Sequence, residues 1–171
     1  MIKRLLTLIA IILSAVCSTY AQPCSTIPGM SPGNALPVCG TSVFHQDVVI
    51  NCSGNNVAQV GCSVGASSES SFWYKFTCFQ TGSLGFLISG ISSTDDYDWV
   101  LFDITGRNPN EVFSNSSLAI SINLYGAGNG PAPFPESPTG CRPGATGNVH
   151  CEGSDNGNTP FNAMPTITIG H

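Results

Sequence analysis

The sequence predicts an all-β domain, a disulfide-stapled two-sheet sandwich of jelly-roll type, with a closed barrel as the structural alternative. Three observations predict it. Short segments of period-two alternation, rich in β-branched and aromatic residues, recur along the chain. Clusters of Gly, Pro, Ser and Asn separate them every few residues. No stretch after the first 22 residues carries a helical pattern of apolar residues.

Taken in order, the Pro- and Gly-rich "PCSTIPGMSPGNALPVCG" (23–40) is a tethered loop. Strands are expected at "SVFHQDVVI" (42–50) and at "SSFWYKFTCF" (70–79). The latter sets Phe72, Tyr74, Phe76 and Cys78 on one face and Trp73, Lys75, Thr77 and Phe79 on the other. "QTG" (80–82) reads as a hairpin-like turn into "SLGFLIS" (83–89), which groups Leu84, Phe86 and Ile88. "YDWVLFDI" (97–104), "SLAISINL" (117–124) and "TITIG" (166–170) complete the set. Residues 125–165 carry no strand signal and are expected to be one long loop, functional, mobile or held by Cys141 and Cys151.

The first 21 residues read as a secretory signal peptide: Lys3 and Arg4, an apolar run from Leu5 to Leu13, then small residues with a cut after Ala21. Lipidation at Cys17 is disfavoured by the bulk of Val16, and the apolar run is too short to anchor the chain in a bilayer. Residues 22–171 make one β-sandwich domain. "TITIGH" stops where a strand is ending, so the domain is expected to be truncated at its C-terminal side. The formal net charge of −5 becomes −7 once Lys3 and Arg4 leave with the leader. Such a surface repels phosphate backbones, which argues against nucleic acid and anionic membranes as partners; no segment of the domain is expected to span a membrane.

Seven cysteines remain, and in an oxidising compartment they read as staples. Proximity in sequence suggests Cys24–Cys39, Cys52–Cys62 and Cys141–Cys151, with Cys78 left over, although six cysteines alone permit 15 connectivities.

Chemistry concentrates in "DDYDWVLFDIT" (95–105). Asp95, Asp96 and Asp98 have two readings: turn carboxylates bonded to backbone amides, or a calcium site at one end of a sheet, without the glycine and distal glutamate of an EF-hand loop. Calcium is the one cofactor the sequence raises. A second oxygen-rich stretch, "EGSDNGN" (152–158), carries Glu152, Asp155, Asn156 and Asn158 but reads first as turn. Trp73, Tyr74, Tyr97 and Trp99 are candidates for a sugar-stacking platform, with Trp73 and Trp99 reading first as core. His150, Cys151 and Cys141 do not match a zinc spacing. There is no GxSxG, HExxH or phosphate-loop motif, so no enzymatic activity is expected of this chain.

Cys24 and Cys39, the strand "SFWYKF", "GSLGFLIS", "TDDYDWVLFDITGRNPNEVF" and the closing "FNAMPTITIGH" resemble the N-terminal domains of large secreted proteins of Bacteroidetes. Those proteins often continue into immunoglobulin-like repeats and a sorting domain for gliding-associated (type IX) secretion. The central stretch also resembles pre-peptidase C-terminal domains, β-sandwich appendages of secreted proteases. Both resemblances imply an accessory or adhesive module, secreted or on the outer cell surface, that contacts an extracellular glycan or protein surface and is joined to further domains of its own chain. The rival expectation is the accessory end of a secreted protease or glycosidase whose catalytic part lies elsewhere.

Overall fold

The computed structural model describes residues 24–38, 40, 43–47, 50–58, 61–62, 65–126, 137–151 and 159–171. The expected signal peptide, Cys39 and the stretch 152–158 lie outside them. The described chain is all-β, with short strands, four 3-10 turns and no α-helix.

Among the described residues ten strands form four small open sheets. β1 (Leu36–Pro37) pairs in parallel with β2 (Tyr74–Lys75), and β3 (Gly82–Ser83) pairs antiparallel with β10 (Thr166–Ile167). One three-stranded sheet runs β4 (Phe86–Ile88), β7 (Thr139–Cys141), β9 (Phe161–Asn162); the other runs β5 (Trp99–Phe102), β6 (Ala119–Asn123), β8 (Val149–His150). With three strands at most in a sheet and parallel pairs at β6–β8 and β7–β9, the described strands do not draw the antiparallel order of a jelly roll, nor a barrel.

Register explains which side chains meet. On β5 and β6, Trp99 opposes Asn123 and Leu101 opposes Ser121, so these four share a face; Val100 and Ile122 share the other. On the second sheet Phe86, Cys141 and Asn162 line up across β4, β7 and β9, with Ile88 opposite Thr139 on the same face. The two faces meet: the Phe86 and Trp99 rings touch edge to face, 4.9 Å between centroids. Gly140, at φ +137, faces the other way, where an added Cβ would strike the Phe86 carbonyl oxygen; only glycine lets β4 and β7 approach there.

Beyond the strands, local polar bonds shape the chain. Before the 3-10 turn Pro109–Phe113, the Asn108 side chain accepts the Asn110 N–H at 3.0 Å and Glu111 accepts the Asn108 N–H at 3.1 Å, with Pro109 opening the turn. Val112 of that turn is buried, and Trp73 packs between Phe102 and Phe113.

Several expectations need correction. Residues 43–47 form no strand and leave Val43 and Phe44 exposed, so alternation there is not matched by a burying partner. The turn at 80–82 does not join a hairpin, because β2 pairs with β1 and β3 with β10. The expected loop 125–165 contains β7, β8 and β9, each only two or three residues long and too short for a period to register. The cysteine pairing also changes. Cys24 bonds Cys52, and Cys62 bonds Cys151, while Cys78 and Cys141 are free thiols. The cause is topology: Gly61 rests against Val149, so Cys62 docks beside the end of β8, whereas Cys141 is fixed in the middle strand of its sheet.

Candidate functional site

The acidic stretch begins as a turn. The Ser92 N–H donates to Asp95 Oδ2 at 2.9 Å and the Asp95 N–H returns to the Ser92 carbonyl at 3.2 Å. The turn is tied to the start of β7: the Ser137 N–H donates to the Ser93 carbonyl, and Ser137 Oγ accepts the Gly90 N–H at 2.8 Å. Gly90 is a platform, for a Cβ there would lie 2.5 Å from Asp95 Oδ2 and 2.8 Å from the Tyr97 ring. Asp96 stands over Gly126 in the same way, 2.9 Å from where a Cβ would be. Asp98 is exposed, one residue ahead of β5. Thus Asp95 serves the backbone as a turn carboxylate, while Asp96, Tyr97 and Asp98 are exposed around it. Among the described residues no three His, Cys, Asp or Glu side chains gather as a metal site.

The aromatic candidates separate by burial. Trp99 is buried and spends its indole N–H on Thr139 Oγ1 at 2.9 Å. Trp73 is half-buried between two phenylalanines, and its indole N–H has no hydrogen-bond partner among the described residues. Tyr97 is 38% exposed and Tyr74 is exposed beside Phe72. Of these four candidates the two tyrosines are the exposed ones, although Phe44 and Phe79 are more exposed than either.

Sequence reasoning missed the polar layer between the three-stranded sheets. Asn162 is fully buried; its amide donates to Ser121 Oγ and to the Ile122 carbonyl, both at 2.9 Å, and accepts from Asn123 Nδ2 at 2.6 Å. Asn123 Nδ2 also donates to the Thr159 carbonyl, and its Oδ1 accepts the Tyr125 N–H. Thr139 passes the chain on to the Pro160 carbonyl at 2.5 Å. Side-chain amides here complete the ladder that strands of two residues cannot. Burial pushes the Cys141 thiol up despite its hydrogen bond with Ser121, so it stays protonated and unreactive at neutral pH. His150 is buried with both ring nitrogens used: Nδ1 accepts the Thr159 N–H at 3.4 Å, which makes Nε2 the donor to the Thr146 carbonyl at 3.0 Å.

One surface ion pair closes the far end of β5. Asp103 Oδ1 accepts the Thr105 N–H at 3.0 Å and Oδ2 meets His171 Nδ1 at 2.8 Å. The Thr105 N–H, and after it the Thr105 hydroxyl and His171, hold the Asp103 carboxyl below the usual value despite partial burial. A lowered folded-state pKa contributes stability above the unfolded value, about 4, and that contribution is lost as pH falls through the folded value. With the pair over a third exposed at the histidine, screening limits the contribution to a few tenths of a kcal/mol, about 1 at most. Denaturant melts at pH 7 and pH 2 are expected to show Asp103→Asn less stable than wild type at pH 7 and equal to it at pH 2.

No family model, curated protein or solved structure matches this chain. The two disulfides fit an oxidising, non-cytoplasmic environment, and among the described residues no helix is long and apolar enough to cross a membrane.

Proposed function

We propose that this chain is a secreted or cell-surface module without catalytic activity of its own, a small two-sheet sandwich whose task is contact with an extracellular glycan or protein surface. The observation that carries the reading is the pairing of a stapled scaffold with bare apolar side chains: Leu87, Ile91 and Tyr97 are exposed, and the Tyr97 ring lies against Gly90, next to Ile91 in the chain. Folded chains gather exposed apolar groups where another surface is met. The leader and the two disulfides agree with export. The acidic side chains serve the turn and the surface charge in this reading, and further domains of the same chain would present the module.

The test is retention of the purified mature chain on a glycan array and on a panel of immobilised extracellular proteins. Retention is expected, reduced by Tyr97→Ala with an unchanged melting temperature. Hydrolysis of any glycan or peptide by the wild type, lost in Asp98→Asn, would overturn the reading, as would retention on neither panel.

A further inference from the structure

We infer that the Arg107–Asn108 peptide bond is a cleavage site for a protease specific for basic residues, and that the cut module remains one folded unit of two chains. Such a protease seats Arg or Lys in a pocket that carries a carboxylate and hydrolyses the bond after it. The mature chain offers it only Lys75, Arg107 and Arg142. Two of these are closed. Lys75 lies in β2, where its carbonyl accepts the Val38 N–H at 2.8 Å, and three residues on the Cys78 carbonyl accepts the Gly170 N–H at 2.8 Å. Arg142 is followed by Pro143, which has no N–H and restricts the residue before it. The Arg142 N–H is spent on the Asn162 carbonyl at 3.2 Å, and its guanidinium covers the Phe161 ring at 3.6 Å.

Arg107 is open. Thr105, Gly106, Arg107 and Asn108 are all exposed, and the Arg107 guanidinium meets Glu111 only at 3.9 Å, a surface contact too weak to keep it from a protease pocket. The turn is held by the Arg107 N–H on the Ile104 carbonyl at 2.9 Å and the Asn108 N–H on Glu111 Oε1 at 3.1 Å. Exposed polar loop tips open at the least cost, and cleavage follows the population that opens. The step needs only water. Its hydroxyl bonds to the Arg107 carbonyl carbon as the C–N bond breaks, its hydrogen goes to the Asn108 nitrogen, and at neutral pH the new carboxyl's proton passes to the new amine. The pieces stay together because contacts cross the cut: β5 precedes it and β6 follows it, Trp73 packs on Phe113, and Cys62 is bonded to Cys151. The new ammonium forms on the nitrogen that already faces Glu111, so it gains charge beside a carboxylate.

Trypsin at low ratio, added to the mature disulfide-intact chain and followed by mass spectrometry with and without reduction, tests this. The expected first product is one water heavier than the intact chain and separates only on reduction, into a piece ending at Arg107 and a piece beginning at Asn108. It should form about tenfold or more faster than any cut at Lys75 or Arg142. Arg107→Gln should abolish it. The cut form should keep a cooperative thermal melt, and Glu111→Gln should lower the midpoint of the cut form more than that of the uncut chain. A first cut after Lys75 or Arg142, or no cut where the reduced chain is digested, would overturn the inference. So would pieces that part without reduction, a cut form with no melt, or equal lowering of both forms by Glu111→Gln.

Discussion

Replacing Cys62 and Cys151 by serine is expected to cost about 4 to 5 kcal/mol, close to the whole stability of a small domain. That bridge closes a loop of 89 residues, against 28 for Cys24–Cys52, and the entropy restored to the unfolded chain grows with loop length. The smaller loop should cost about 3 to 4 kcal/mol on the same account. Geometry points the same way. β8 is two residues long and is held to β6 by only two backbone pairings, so Cys151, directly after it, fastens an element with little of its own to hold it. The double variant should be largely unfolded at physiological temperature by near-ultraviolet circular dichroism. A loss under 1 kcal/mol would mean that β8 is held by its backbone pairing and burial, not by the bridge.

Asn162→Ala is expected to destabilise the fold by about 3 to 4 kcal/mol, an unusual cost for one polar side chain. Its removal takes a partner at once from the buried Ser121 hydroxyl, which keeps its bond with Cys141, from the Ile122 carbonyl and from one proton of the Asn123 amide. Each loses a partner in the buried layer, and the network loses the mutual polarisation of its members. Ser121→Ala removes the bond from the Asn162 amide and the one with the Cys141 thiol and should cost about 1 to 2 kcal/mol. Urea unfolding of the two variants measures the ratio. Equal and small losses would mean that water enters between the sheets and the layer is not sealed.

These two effects lie where the sequence was hardest to read. β5 and β6 were legible because Trp99–Phe102 and Ala119–Asn123 are long enough for apolar residues to alternate, and Leu84, Phe86 and Ile88 share a half-buried side while Leu87 is bare. β7, β8 and β9 were not. Gly140, His150 and Asn162 are ordinary loop residues in composition, and what makes them strand residues is their amides and backbone meeting segments distant in sequence, Leu87 for Gly140, Asn123 for His150 and Ile122 for Asn162. The cysteine pairing failed for a related reason, since strand order and not spacing brings residue 62 to residue 151. Of the candidate site, the turn role of Asp95 could be read from Ser and Thr beside Asp, but the bare Leu87 could not, because its exposure depends on Gly140 lying across the sheet.

Peptide mapping of the protein recovered outside the cell, alkylated under native conditions and digested without reduction, tests the central claim of a stapled, exported fold most directly. The structure predicts linked peptides for Cys24 with Cys52 and for Cys62 with Cys151, and a Cys141 thiol that alkylates only after denaturation. Neighbour pairs such as Cys52 with Cys62 or Cys141 with Cys151, or thiols free throughout, would contradict it.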